Sequence, residues 1–147
     1  MITVHNISKY KEEYPTVITI GTFDGVHIGH LKILNKVINH AKSTKLKSSV
    51  LTFFPHPRMV LQKDTDIKLL NTIDEKISIL ERLGLDILIV HPFTIEFSRL
   101  TATEFVRDIL VNTLNIKKVI IGYDHRFGRN RNANITDLIA FGNAFDF

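Results

Sequence analysis

The sequence predicts an α/β fold in which a parallel sheet carries helices on both faces. Apolar, β-branched runs alternate along the chain with amphipathic segments of helical period. Several of these runs are almost continuously hydrophobic, which is typical of parallel strands buried on both sides. A chain of 147 residues is large enough to bury one core. We therefore predict a single domain over residues 1–147.

The order of the elements follows from where each pattern starts and stops. Pro55 ends the second apolar run, because proline has no N–H to donate within a sheet. Thr72 and Thr101 each precede a glutamate by three residues, the capping-box pattern that opens a helix, and Gly84 ends the first of these helices. The predicted elements are a strand over 16–23, a helix over 28–41, a strand over 48–54, a polar connection over 59–71, a helix between Thr72 and Gly84, a strand over 86–90, a helix from Thr101, a strand over 117–122 and a short helix over 136–141.

The composition excludes several classes of protein. The chain has no cysteine, so disulfides, thiolate metal sites and cysteine nucleophiles are excluded. It has no apolar run long enough for a bilayer and no signal-peptide pattern, so we expect a cytoplasmic protein without a membrane partner. The net charge of +4 fits an anionic ligand without requiring nucleic acid, and we expect no nucleic-acid partner. No His-x-Glu or clustered carboxylate pattern predicts a bound transition metal, and His5, His40 and His91 are expected to have surface or packing roles.

The junction between the first strand and the first helix carries the strongest functional pattern. It reads Gly21-Thr22-Phe23-Asp24-Gly25-Val26-His27-Ile28-Gly29-His30. Glycines allow tight turns and close approach, and the start of the helix favours an anion. His27 and His30 are three residues apart, so both rings can face one ligand. We interpret the junction as a phosphate-binding loop rather than a purely structural turn.

Two more polar loops follow predicted strands and should lie at the same edge of the sheet. The first is Phe54-Pro55-His56-Pro57-Arg58: either a strand end with a buried aromatic ring, or a stiff loop that packs on a planar ligand. The second is Gly122-Tyr123-Asp124-His125-Arg126-Phe127-Gly128-Arg129-Asn130-Arg131. Arginines suit phosphate and an aspartate suits ribose hydroxyls, although a plain exposed basic loop has the same composition. This loop and the junction over residues 21–30 are both suited to phosphate, and two such loops at one edge indicate a pair of substrates.

These motifs also indicate a family. His27-Ile28-Gly29-His30 has the HxGH pattern of nucleotidyltransferases and class I aminoacyl-tRNA synthetases. Together with Thr52-Phe53-Phe54-Pro55-His56-Pro57 and the second glycine loop, it resembles the FMN adenylyltransferase (FAD synthetase) domain of bacterial bifunctional riboflavin kinase/FAD synthetases. Further similar spacings are those of Leu70, Lys76, Leu83-Gly84, Phe93 and Phe105. Three motifs in order, covering nearly the whole chain, are far more specific than HxGH alone.

The resemblance implies a Rossmann-like domain that makes FAD and pyrophosphate from FMN and ATP, with Mg²⁺ accompanying ATP. It implies that the catalytic residues, in contact with the ATP phosphates, are His27 and His30. The implied ATP-binding residues are Gly21, Thr22, Phe23, Asp24, Gly25 and Gly29. The implied residues for FMN or the second substrate are Phe54, Pro55, His56, Pro57, Arg58, Asp124, Arg126, Phe127, Gly128 and Arg131. A riboflavin kinase domain is expected as a partner in the full-length protein.

The chain departs from the family's pattern in two respects. Relatives carry a Ser/Thr-rich segment ending in a basic residue after the second glycine loop, and this chain stops at Phe147 without it. It also has no room for a kinase domain, so we expect a chain truncated at its C terminus. Ala133 stands where many relatives have glycine. The alternatives are another HxGH nucleotidyltransferase, with a pantetheine, nicotinate or glycerol phosphate substrate, and a flavin- or nucleotide-binding module without turnover.

Overall fold

A computed structural model describes residues 1–11, 14–62 and 68–147. Within these residues, five parallel strands form one sheet in the order β1-β4-β3-β2-β5. The strands are β1 Ile2–Val4, β2 Thr16–Ile20, β3 Lys47–Phe53, β4 Ile87–His91 and β5 Ile116–Val119. The helices are α1 Ile28–Thr44, α2 Pro57–Leu61, α3 Ile73–Leu83, α4 Ile95–Ser98, α5 Ala102–Glu104, which continues as a π-helix over Phe105–Thr113, and α6 Ile135–Phe145. The predicted α/β class is confirmed.

The sheet is covered on both faces, as its hydrophobic strands predict. All five residues of β2 are buried, and successive side chains point to opposite faces. Val17 packs against α1, whereas Ile18 and Ile20 face the π-helix and α6. The main buried side chains on the α1 and α3 face are Leu34, Val37, Val50, Leu80 and Leu88, and those on the other face are Leu51, Ile89, Val106, Leu110 and Leu138.

The strand order changes direction at β2, which has β3 on one side and β5 on the other, and this reversal positions the loops of interest. From β2 the chain steps outward through β3 to β4, and it then returns to place β5 on the other side of β2. In open parallel sheets, ligands bind at such a reversal, in the crevice beyond the carboxyl ends of the strands. The loops that begin at Gly21 and after β5 both start at this point. The expectation that the polar loops share one sheet edge is therefore confirmed.

The predicted helix starts are also confirmed. The Thr72 hydroxyl accepts the Glu75 N–H at 3.1 Å, and the Glu75 carboxylate accepts the Thr72 N–H at 3.1 Å. Thr101 and Glu104 form the same reciprocal pair, at 3.1 and 3.2 Å. Gly84 ends α3 with a φ of 92°, a left-handed conformation that glycine adopts without penalty.

Several boundaries differ from those predicted. The edge strand β1 was not predicted, because three half-exposed residues are too few to show a period. The first strand ends at Ile20 rather than at residue 23, because Phe23 has a φ of 50°, which no strand tolerates. The connection predicted over 59–71 contains the end of α2, and its residues 63–67 lie outside the described residues. The last helix runs to Phe145.

Candidate active site

A cleft of about 660 Å³ lies beyond the carboxyl ends of the strands at the reversal of strand order. Its volume is in the range of pockets that hold small molecules and cofactors. The predicted site residues that line it are Gly21, Thr22, Phe23, His30, His56, Pro57, Arg58, Asp124, Arg126, Phe127, Gly128 and Arg131. All three loops identified in the sequence thus meet at one cleft.

Six predicted site residues do not line this cleft. Asp24 and Phe54 line a smaller adjoining cavity of about 350 Å³, which shares Phe53 and His56 with the larger one. The predicted residues that line neither cavity are Gly25, His27, Gly29 and Pro55. These six residues belong to the same loops but do not line the larger cleft.

His27 caps the N-terminus of α1. Its Nδ1 accepts the N–H groups of Gly29, at 3.1 Å, and of His30, at 3.4 Å. A ring nitrogen that accepts a hydrogen bond carries no proton, so the proton of the neutral ring is on Nε2. Two amides expected for a phosphate therefore bind the protein's own ring, and an anion at this helix end would meet a Nε2–H donor instead.

The two histidines of the HxGH pattern stack on each other. Their ring centroids are 3.5 Å apart with an angle of 23° between the planes, and Phe23 contacts His30 edge-on at 5.1 Å. Burial, and then the neighbouring His27, lower the pKa of His30. Its Nδ1 is buried without a hydrogen-bond partner in the described part of the chain. Unpaired buried polar atoms are uncommon, and a catalytic role is one recognised cause.

The loop from Gly21 to Val26 has an unusual backbone. Phe23 has a φ of 50°, Gly25 of 77° and Val26 of 39°, and the left-handed region is strained for a β-branched residue. The Gly21 N–H donates to the Leu51 carbonyl at 3.0 Å, and the Val26 N–H donates to the Phe23 carbonyl at 3.3 Å. The loop shape is therefore maintained by surrounding contacts rather than by the local preference of its residues.

Asp24 contributes to that shape from outside the larger cleft. One carboxylate oxygen accepts the N–H groups of Leu70, at 2.9 Å, and Asn71, at 3.2 Å. The other accepts the Leu70 N–H at 3.0 Å. These bonds connect the loop to the segment that leads into α3. The Asp24 carboxylate is thus already hydrogen-bonded to the protein's own backbone.

An aromatic cluster forms another part of the cleft wall. Phe53, Phe93 and Phe97 pack with ring centroids 5.5 to 5.8 Å apart, and all three line the larger cleft. Phe54, the ring chosen from the sequence, is 50% exposed, so the alternative of a buried Phe54 is wrong. Phe53 is the last residue of β3 and lines both cavities, whereas Phe54 follows the strand and lines only the smaller one.

The loop over residues 122–131 supplies the basic side of the cleft. It begins with a turn in which the His125 N–H donates to the Gly122 carbonyl at 3.1 Å. Phe127 is buried and anchors the loop, 6.1 Å from the ring of Phe105. The Arg129 Nε donates to the Arg99 carbonyl at 2.8 Å and does not line the cleft. Arg126 and Arg131 are the arginines that this loop offers to a ligand.

Burial lowers the pKa of four histidines in the described residues: His30, His56, His91 and His125. Three of them line the cleft, and His125 is lowered further by Arg131. His91 lies at the end of β4, where its Nδ1 accepts the Ile7 N–H at 3.2 Å. It has a packing role, as expected from the sequence.

We expect the free energy of unfolding to fall as the pH falls below about 6.5, the ordinary pKa of an unfolded histidine. The folded-state pKa values are lower, so below that pH the unfolded chain binds more protons than the native one. Urea unfolding at a series of pH values between 7.5 and 5.0 measures this. His91→Asn keeps an acceptor for the Ile7 N–H and cannot titrate, so it should reduce the slope. His40→Asn controls for the substitution itself, and an equal slope in wild type and His91→Asn would contradict the assignment.

The described ranges contain no group of three or more His, Asp or Glu side chains arranged to hold a metal ion. The same ranges contain no helix with the length and hydropathy that a bilayer crossing needs. Of the two aspartates near the cleft, Asp24 is engaged by backbone amides and Asp124 is exposed.

The cleft opens at the reversal of strand order in a parallel sheet, between helix α1, which is capped by His27, and the arginine loop over residues 122–131. This arrangement defines an α/β domain of the nucleotidyltransferase-like class. The model of a family described as FAD synthetase matches residues 9–147. The chain belongs to the FAD synthetase family.

Curated relatives agree with this assignment, and one solved structure shares the fold. Proteins described as bifunctional riboflavin kinase/FMN adenylyltransferases are 37% identical over 98% of this chain in Buchnera aphidicola subsp. Schizaphis graminum, 36% over 85% in Listeria monocytogenes and 33% over 98% in Escherichia coli K12. These matches cover 46%, 40% and 46% of the respective relatives, so the chain spans about half their length. A crystal structure described as a macrolide-efflux protein from Streptococcus pneumoniae has a TM-score of 0.82 and 26% identity, covering 96% of this chain and 55% of that one.

Proposed function

We propose that this domain transfers the adenylyl group of ATP to FMN, giving FAD and pyrophosphate. Family membership supports the reaction class, and one structural observation supports the pair of substrates. The same cleft is lined by His30, by the loop that starts at Gly21 and by an aromatic wall of Phe53, Phe93 and Phe97. Such a cleft offers one end to a polyphosphate and the other to a planar ring.

The proposed reaction needs no covalent enzyme intermediate. An oxygen of the FMN phosphate forms a bond to the α-phosphorus of ATP, and the bond from that phosphorus to the bridging oxygen of the β-phosphate breaks. Pyrophosphate leaves with the electron pair. The protein then contributes alignment of the two substrates and stabilisation of the charge that develops on the phosphate oxygens.

In this scheme the stacked histidines act at the phosphates. His27 offers its Nε2–H because Nδ1 is used by the helix cap. His30 lies beside it with a lowered pKa, and an approaching polyphosphate would favour its protonated form. Arg126 and Arg131 face the same cleft and are suited to phosphate oxygens. Gly21, Thr22, Phe23, Asp24, Gly25 and Gly29 set the shape of the ATP loop.

On the other side of the cleft, we assign the flavin to the aromatic wall and the turn at Pro55–Pro57. His56 and Arg58 are near enough to that wall to line the same cleft. Mg²⁺ would enter with ATP as part of the substrate, since the carboxylate of Asp24 is already engaged by two backbone amides. The proposed wider setting is a cytoplasmic enzyme whose full-length form includes a riboflavin kinase domain.

The test is incubation of the chain with ATP, Mg²⁺ and FMN, followed by chromatographic quantification of FAD and an enzymatic assay of pyrophosphate. We expect FAD and pyrophosphate in equal amounts. Phosphopantetheine, nicotinate mononucleotide and glycerol phosphate serve as competing acceptors in parallel reactions. Pyrophosphate release with one of these acceptors and not with FMN would favour the other nucleotidyltransferases, and calorimetric binding of ATP or FMN without any pyrophosphate would favour a binding module.

A further inference from the structure

Lys76 is the charged side chain that stands out within the described residues, because it is only 6% exposed. It lies in the second turn of α3, and its Nζ donates to the carbonyl oxygen of Thr22. Burial lowers the pKa of Lys76, and the nearby carboxylate of Asp24 opposes that shift. Burying an ammonium group is unfavourable unless partners compensate for lost water, so its two partners identify what the charge is used for.

Both partners belong to the strained loop between Gly21 and Val26. The Thr22 carbonyl accepts two hydrogen bonds, one from Lys76 and one from the Thr52 hydroxyl at 3.3 Å. The next residue, Phe23, already has a positive φ. Two donors on one carbonyl fix the orientation of that peptide at the point where the chain turns from β2 into the loop.

Asp24 extends the same connection. Its carboxylate accepts the backbone N–H groups of Leu70 and Asn71 and interacts electrostatically with Lys76. Those amides immediately precede Thr72, where the capping box starts α3. The loop is therefore connected to the start of α3 twice, through its backbone by Lys76 and through a side chain by Asp24.

Lys76 contacts the loop and lines only the smaller cavity, whereas His30 lines the larger cleft. We propose that Lys76 is a positioning residue, whose buried ammonium group maintains the phosphate-binding shape of residues 21–26 through the Thr22 carbonyl. This inference rests on the proposed function in one respect, that the loop binds polyphosphate. Lys76 touches the loop and not the reacting atoms.

The test compares Lys76→Met, which keeps an unbranched side chain of nearly the same length and removes the charge and the donor, with Lys36→Met, which removes an exposed lysine of α1. Calorimetric titration with sodium tripolyphosphate and with ATP should give an affinity about tenfold lower for Lys76→Met. Amide hydrogen exchange at residues 22–26 should become faster, while exchange in β3 stays unchanged. Lys36→Met should match wild type in both measurements.

The thermal midpoint distinguishes positioning from a structural role. A buried charge can be replaced by an apolar side chain without loss of stability. We therefore expect Lys76→Met to keep the wild-type midpoint of thermal unfolding and to lose affinity for tripolyphosphate and ATP. A lowered midpoint with unchanged affinity and unchanged exchange at 22–26 would overturn the proposal. If Lys76→Met does not fold, Lys76→Gln, which removes the charge and keeps an N–H donor on a slightly shorter side chain, is measured in the same way.

The exchange measurement also separates the two proposals. Failure of the wild-type chain to bind tripolyphosphate or ATP would contradict the proposed function, and exchange at residues 22–26 would then decide the role of Lys76 alone. Binding by wild type and equal binding by Lys76→Met would overturn the positioning role and leave the proposed function intact.

Discussion

Replacing His30 by alanine should slow FAD formation about 100- to 1000-fold in kcat/KM, the effect of removing one donor to a developing charge in a water-poor site. His30 lines the cleft, whereas His27, which stacks on it at 3.5 Å, does not. Steady-state measurement of FAD formation at saturating FMN and variable ATP gives this ratio.

The control for this substitution is His40→Ala, near the other end of the same helix. It removes the same ring from α1 away from the cleft, so it should leave kcat/KM within about twofold of wild type. Urea unfolding of both variants separates loss of catalysis from loss of α1. A His30→Ala enzyme that is as folded and as fast as wild type would contradict the catalytic assignment.

Replacing Gly128 by alanine should lower the free energy of unfolding by about 2–5 kcal/mol, from backbone strain and overpacking together. Gly128 has a φ of 77°, and an added Cβ would lie 2.9 Å from the Cα and N of Ala102. Those atoms start α5, where the Thr101–Glu104 capping box limits their movement. The relief of this clash would displace the arginine loop, so we also expect FAD formation to fall.

Gly84→Ala separates the two causes. Gly84 also has a positive φ, of 92°, but an added Cβ there would have no atom within 4 Å. Only strain remains, and the expected loss is about 1–2 kcal/mol. Denaturant unfolding of the two variants under the same conditions gives both values. Equal losses would show that the contact between Gly128 and Ala102 does not restrain the loop.

Local patterns in the sequence predicted most of the sheet and the outline of the cleft. The continuous apolar character of β2 follows from its burial on both faces, and the capping boxes at Thr72 and Thr101 are local signals that tertiary contacts did not override. Parallel strands bring their carboxyl ends together, so the polar loops after them could be assigned to one edge. β1 was missed because a strand of three half-exposed residues is too short to show a period of its own.

The parts of the site that the sequence did not predict depend on contacts between distant segments. Phe93 and Phe97 become a cleft wall only because β4 ends beside β3, which brings them to Phe53. The role of Lys76 depends on a carbonyl 54 residues earlier in the chain. A lysine at this helical position has the same local pattern whether it faces water or another loop, so period and propensity do not distinguish the two cases.

The two sides of the cleft are attached to strands with unequal support. β2, which leads into the phosphate loop, pairs with a strand on each side and is buried along its whole length. β5, which leads into the loop over residues 122–131, is an edge strand: among the described residues it pairs only with β2, and its Lys117 and Lys118 are exposed. Local opening requires less free energy where fewer contacts must break. We therefore expect β5 to open at a lower free-energy cost than β2, so that any adjustment of the cleft to the size of its ligand takes place on the arginine side first.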